Sequence, residues 1–171
     1  MNPHQTETPT LEQSYALCVE TAKRRAGNFI FAFRVLPKAR FRGVCALYAA
    51  ARLADDIADG EAEGAAVAAA SDPEQILARL KNFRADFDRA LAGEPAADPR
   101  LPAVADTFHR FAIPPRYMHE LFTGCEMDAT LTRCERWEDT RLYCWRVASV
   151  VGLMTLYIFG FENKAGAAPQ P

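Results

Sequence analysis

Residues 46–59 read Ala46-Leu47-Tyr48-Ala49-Ala50-Ala51-Arg52-Leu53-Ala54-Asp55-Asp56-Ile57-Ala58-Asp59. Alanine, leucine and arginine are strong helix formers, and from Pro37 to Asp59 the only other breaker is Gly43. Taken as one helix from Arg42 to Asp59, the stretch puts Tyr48, Arg52, Asp55 and Asp59 at i, i+4, i+7 and i+11, on one face. Two carboxylates four residues apart can grip a hard divalent cation. Mg²⁺ prefers oxygen donors and commonly takes one or two carboxylates, with waters and substrate phosphates completing its shell. Arg52, one turn earlier, supplies a fixed cation for a phosphate oxygen. Tyr48 adds a ring and a hydroxyl at the apolar end of the stripe. The acids also sit where the helix macrodipole disfavours negative charge, and aspartate is a poor helix former. A sequence shaped by stability alone would favour Lys or Arg there. The plain alternative is a solvated acidic helix end leading into a loop.

Around this stretch the charges are segregated. Thr21 to Ala54 holds eight cations (Lys23, Arg24, Arg25, Arg34, Lys38, Arg40, Arg42, Arg52) and no acid, whereas Asp55 to Glu63 holds five acids and no base. Solvated surface charge explains most of these residues singly. The collective pattern points to an anionic ligand or an anionic membrane surface near the basic segment. The net charge of −2 gives no global field of the kind nucleic acid binding requires.

Helical periodicity continues in both directions. Leu11, Tyr15, Cys18 or Val19 and Ala22 mark a helix to about Arg25, broken by Gly27-Asn28 and followed by the aromatic segment Phe29–Phe33. Residues 60–70 read as a surface connection. Ser71-Asp72-Pro73-Glu74 opens a further helix in a capping-box pattern, with Ile76, Leu77, Leu80, Phe83, Phe87 and Leu91 facing inward and Gly93 closing it. Shorter helices are expected near Pro102–Phe111 and from Pro114-Pro115 through Phe122, and a last helix from Trp137 to Phe159. No useful strand alternation occurs, and alanine appears 31 times in the 171 residues, so the expected class is all-α. Residues 1–9 are expected to be a loose tail, 10–162 part of a single domain, and 163–171 a short Ala/Pro-rich tail.

Half of the chain is apolar, which excludes a disordered polypeptide. The five cysteines are odd in number and widely spaced, with no CxxC, which disfavours a disulfide framework or a zinc site. Cys45 and Cys144 read as small core residues. With no signal peptide pattern, the simple reading is a cytoplasmic protein. The apolar run Val147–Phe161 has 15 residues and suits a buried core helix better than a membrane span. Glu126 and Asp128, two apart on a helix, read as solvated surface.

The segments Asn28-Phe29 with Phe33-Arg34-Val35-Leu36-Pro37, Ala46–Ala49 with Arg52–Asp59, and Leu142-Tyr143-Cys144-Trp145-Arg146-Val147-Ala148-Ser149-Val150-Val151-Gly152 closely resemble the squalene/phytoene synthase family. Gly124–Leu131, with Glu126-Met127-Asp128, has the same look, and the resemblance covers roughly residues 14–162. It implies Mg²⁺-dependent head-to-head condensation of two isoprenoid diphosphates, farnesyl or geranylgeranyl, on an isoprenoid-synthase-type helical bundle. It also implies metal ligation by Asp55 and Asp59 (Mg²⁺, with Mn²⁺ as substitute), with Tyr143, Tyr48 and Arg52 at the reacting end. Asn28, Arg52, Tyr143, Val147 and Val150 would contact substrate, and NADPH would enter only for a squalene-type parent. Peripheral membrane contact is expected because substrates and products are lipids.

The chain departs from the family pattern in two places. Ala26-Gly27-Asn28 replaces the serine and small polar residues that often precede the aromatic segment. No second aspartate-rich motif follows Tyr143, so the bundle is expected to be incomplete at its C-terminus and the 171-residue chain inactive alone. A truncated, non-catalytic helical binding or scaffold protein is the alternative. Other all-α Mg²⁺ enzymes, such as a head-to-tail prenyltransferase or a nucleotide pyrophosphohydrolase, are disfavoured by the Tyr48/Arg52/Asp55 stripe together with the Tyr143 segment.

Overall fold

A computed structural model describes residues 9–60, 72–130 and 133–160. Most of both expected tails and most of the surface connection after Gly60 lie outside these residues. Among the described residues all regular structure is helical. Helix α1 (Leu11–Arg25) opens with a reciprocal cap, in which Gln13 N–H donates to Thr10 Oγ1 at 3.3 Å and Thr10 N–H donates to Gln13 Oε1 at 2.8 Å. The aromatic segment forms a short helix, α2 (Phe29–Phe33), entered through Gly27 at φ +53°. Helix α3 (Lys38–Ala58) carries the aspartate stretch. Its mid-helix glycine has a packing reason: a Cβ on Gly43 would lie 2.7 Å from Phe111 Cε2.

Asp72 caps α4 (Pro73–Leu91) by accepting from Glu74 N–H at 3.1 Å, with Pro73 in the first turn. Helix α5 (Leu101–Arg110) follows, and α6 (Pro115–Thr130) runs two turns beyond the expected Phe122. The central element is α3, packed against α1, α4, α5, α6 and the last helical segment. Phe87 stacks edge-on against Phe108 and Phe122 at 5.1 and 5.8 Å, and Phe83 meets Phe122 at 5.5 Å. Burying each such ring stabilises by roughly 1.5–3 kcal/mol. Buried Ser14 ties α1 to α5, donating to Arg100 O at 3.1 Å and accepting from Ala103 N–H at 2.9 Å.

The C-terminal helix differs from expectation in two ways. It is interrupted: α7 (Trp137–Cys144) and α8 (Val150–Phe159) are joined by a π-turn, Trp145–Ser149. Nor is it a buried core helix. Trp137–Phe159 is apolar enough by composition to cross a membrane (mean hydropathy 1.5), yet only 17% of its most apolar window is buried. Val150, Met154 and Ile158 enter the core, while Leu142, Leu156 and Phe159 are exposed. Neighbours cover one side only among the described residues. Cys144 lies on the uncovered side and is exposed rather than a core residue, whereas Cys45 is buried as expected.

Candidate active site

The acid end of α3 is held by arginines. Arg52 donates from Nη1 to Asp55 Oδ2 at 2.9 Å and pairs through Nη2 with Asp56 Oδ1 at 2.5 Å. Asp56 also accepts from Arg25 of α1 at 2.7 Å. The guanidinium fork of Arg52 therefore spans two carboxylates of its own helix. Asp59 is exposed at the C-cap of α3, its N–H bonded to Asp55 O. Burial raises the Asp55 carboxyl above the ordinary aspartate value, and the charge of Asp59 adds to this against the opposing pull of Arg52. Tyr48 packs partly buried against the small cluster of Ala22, Ala26, Ile30 and Cys45. Burial raises its hydroxyl pKa, while Arg52 and Arg25 lower it.

Facing this end is the C-terminal half of α6. Cys125 is buried, and its thiol is pushed up to about 12, first by burial and then by Asp55, Asp128, Asp59 and Glu126 in that order. Acids of α3 and α6 thus converge around one thiol. Asp128 belongs to this group, although its i, i+2 spacing from Glu126 reads as two diverging surface acids. It is exposed, and its carboxylate lies near enough to the Tyr143 hydroxyl to raise that group's pKa and to add its charge to that of Asp55. Glu126 turns toward Arg84, at 3.5 Å. The usable sequence signal for Asp128 was Gly124, one turn earlier on the same face.

Gly124 is the point of closest approach to the C-terminal helix. A Cβ there would lie 2.8 Å from Val147 Cγ1 and 3.2 Å from the backbone carbonyl carbon of Arg146. Arg146 locks the same contact, donating to Glu120 Oε2 at 3.1 Å and reaching Met127 Sδ at 3.3 Å. Gly124→Ala is expected to destabilise the protein despite alanine's better helix propensity. The overpacking cost of about 1–3 kcal/mol opposes a propensity gain of at most about 1 kcal/mol, and a backbone atom cannot step aside. Thermal melting followed by circular dichroism checks this, and an unchanged or raised midpoint would contradict it.

The structure thus brings Arg52, Asp55, Asp59 and Tyr143 to one end of the bundle, with Tyr48 one turn back. Val147 is half-buried beside them, whereas Val150 is fully buried in the core. Asn28 is exposed at the start of α2 and makes no side-chain cap bond. A separate groove of about 770 Å³ lies between α1, α3 and α4 on the Asp56 side. Tyr48, Asp55, Asp59 and Tyr143 do not line it, and its Arg25 and Arg100 are paired with Asp56 and Asp98.

Burial is the first cause of the raised Asp55 carboxyl pKa, and the charges of Asp59, Asp56 and Asp128 add to it; a hard cation would relieve that repulsion. Among the described residues no group of three or more His, Cys, Asp or Glu side chains is arranged to hold a metal. A cation here would take one or two aspartates and fill its shell from diphosphate and water.

Comparison with known proteins gives consistent matches. Residues 22–170 match the family described as squalene/phytoene synthase. The chain is 32% identical over 155 residues to the phytoene synthase of Mycobacterium bovis, covering 91% of this chain and 47% of that protein. It is 29% identical over 163 residues to the 15-cis-phytoene synthase of Synechocystis, covering 95% and 45%. A crystal structure of a dehydrosqualene synthase in complex with ligand superposes with a TM-score of 0.72 at 28% identity, over 86% of this chain and 48% of that one. The chain spans about half the length of the curated relatives it matches.

Proposed function

The chain belongs to the squalene/phytoene synthase family, and on that premise we propose that it is the diphosphate-binding portion of an enzyme joining two isoprenoid diphosphates head to head, in squalene- or phytoene-type synthesis. The observation that carries the reading is the grouping of Arg52, Asp55 and Asp59 opposite Tyr143 at one end of an all-helical bundle. Asp55 and Asp59 would hold Mg²⁺, or Mn²⁺ in its place, which when bound neutralises charge on the departing diphosphate. Arg52 is tied to Asp55 and Asp56, and the arm that holds Asp55 would turn to a diphosphate oxygen if Asp55 engaged a cation, while its bond to Asp56 keeps the guanidinium in place. Tyr143 and Val147 flank the reacting carbons. Keeping water from the allylic cation requires an apolar wall, to which the Tyr143–Met154 stretch contributes one side.

No second aspartate-rich motif follows Tyr143 in the 171 residues. The chain alone is therefore proposed to bind diphosphate without condensing it, and NADPH would matter only to a squalene-type parent. The proposed setting is cytoplasmic with peripheral membrane contact. Exposed Phe29, Phe31 and Val35, with Arg34 lying 5.5 Å over the Phe31 ring, support that contact.

The test is calorimetric binding of farnesyl and geranylgeranyl diphosphate with Mg²⁺ and with a chelator, followed by extraction and analysis of lipid products with NADPH present. Binding that needs Mg²⁺ and yields no product is expected. Binding that is indifferent to the chelator would overturn the metal role, and abundant C30 or C40 hydrocarbon would overturn the inactivity.

A further inference from the structure

Four side chains form a chain of alternating charge that runs from α1 to the acid end of α3. Arg25, the last residue of α1, donates from Nη2 to Asp56 Oδ1 at 2.7 Å. The same oxygen pairs with Arg52 Nη2 at 2.5 Å, and Arg52 Nη1 donates to Asp55 Oδ2 at 2.9 Å. Each inner member of the series therefore sits between two opposite charges. Burial separates the two neighbouring acids: the Asp56 side chain is 18% exposed and that of Asp55 is 51% exposed. Successive residues of a helix point about 100° apart. Asp56 accordingly turns to α1 and lines the groove between α1, α3 and α4, which Asp55 and Asp59 do not line. A carboxylate oxygen shared by two guanidiniums is already committed, whereas Asp55 is open to solvent.

Resting on the diphosphate reading above, we propose that Asp56 is a positioning residue: its carboxylate, held from α1 by Arg25, fixes the Arg52 guanidinium beside Asp55, without itself binding the metal or the diphosphate. An arginine stem has many rotamers, and ordering it on binding costs affinity. A guanidinium already anchored to its own helix meets a diphosphate oxygen without that cost.

Charge alone predicts the opposite result. Removing a negative charge beside an anion site strengthens anion binding, whereas removing an anchor for Arg52 weakens it. Mg²⁺-dependent binding of farnesyl diphosphate, measured by calorimetry, is expected to fall about tenfold in Asp56→Asn while still requiring Mg²⁺. Asp56→Glu, which keeps the charge, should recover most of it. Arg25→Gln removes only the bond from α1, at an exposed side chain, and is expected to give a smaller loss in the same direction. Because it leaves the buried side of the bundle untouched, it decides the point if Asp56→Asn does not fold.

Arginine side-chain ¹⁵N NMR without ligand gives a readout independent of diphosphate. A guanidinium bonded through both arms turns slowly about its Nε–Cζ bond and shows separate Nη signals, and Arg52→Lys identifies those of Arg52. They should be separate in the unaltered protein and in Asp56→Glu, and merge in Asp56→Asn, with circular dichroism confirming the fold. Undiminished diphosphate binding in Asp56→Asn or in Arg25→Gln, or Arg52 signals that do not move in Asp56→Asn, would overturn the proposal. So would a complete loss of Mg²⁺-dependent binding in Asp56→Asn matching that of Asp55→Asn, because Asp56 would then be a metal ligand. If the unaltered protein binds no diphosphate while the Arg52 signals merge in Asp56→Asn, the anchor stands and the diphosphate reading falls.

Discussion

Asp55→Asn and Asp59→Asn are each expected to abolish Mg²⁺-dependent diphosphate binding while leaving thermal stability unchanged or slightly raised. The two halves of this expectation have separate causes. Binding is lost because an amide cannot neutralise a divalent cation, and one remaining carboxylate offers too few donors. Stability is kept because the acids lie where the α3 dipole opposes them, so removing a charge gains about 0.3–1 kcal/mol. Loss of the half-exposed Asp55–Arg52 pair costs a similar 0.2–1 kcal/mol, roughly.

The pH dependence follows in sign from the raised Asp55 pKa. The folded protein holds that proton more tightly than the unfolded chain. Stability from this group is present below the ordinary aspartate value and is lost as pH rises through the raised folded value. Asp55→Asn removes that loss, so its melting temperature should vary less with pH across the carboxylate range. Melting curves at several pH values and calorimetric titration measure both halves. Undiminished binding in Asp55→Asn would sink the assignment.

The second large effect concerns the uncovered side of the C-terminal helix. The chain by itself should self-associate at micromolar concentration and bind apolar dyes, because Trp137, Leu142, Leu156 and Phe159 are exposed along one helix. Phe29 and Val35 add apolar surface on the α2 side. Replacing Leu142 and Leu156 with glutamate should shift the distribution towards monomer with little change in melting temperature, since neither side chain enters the core. Static light scattering and sedimentation decide the point. A compact monomer without dye binding would show that these side chains form no adhesive surface.

Much of the fold was legible because its signals are local. Asp72 and Pro73, and the apolar spacing of α4, each depend on neighbours within one or two turns. The stripe from Tyr48 to Asp59 was legible for the same reason: a helix fixes which residues share a face. The seam between α6 and the C-terminal helix was not, since it is set by a missing Cβ at Gly124 against Val147 and Arg146, and no single-helix pattern reports that. Exposure of Cys144 escaped as well. An apolar helix reads as buried from composition, but burial depends on what lies opposite it. The extent of α6 was underestimated because its second half, Thr123 to Thr130, mixes polar and apolar residues without a clear end signal.

The π-turn at Trp145–Ser149 acts as a phase shifter within one helical run. Downstream, Val150, Met154 and Ile158 are pinned in the core; upstream, Tyr143 lies by the acids Asp128 and Asp55. Each residue of an α-helix advances the side chains by about 100°, and a π-turn accommodates one extra residue within the same length of helix. Deleting one residue there would regularise the hydrogen-bond ladder and leave the core side in place. Tyr143 would then swing by about that angle, away from the acids of α3. Single-residue insertions and deletions in this segment therefore re-aim the tyrosine and shift the Arg146–Val147 contact with α6 while sparing the Val150–Ile158 side, and a one-residue gap at Trp145–Ser149 in an alignment would mark a rotated active site rather than a damaged core.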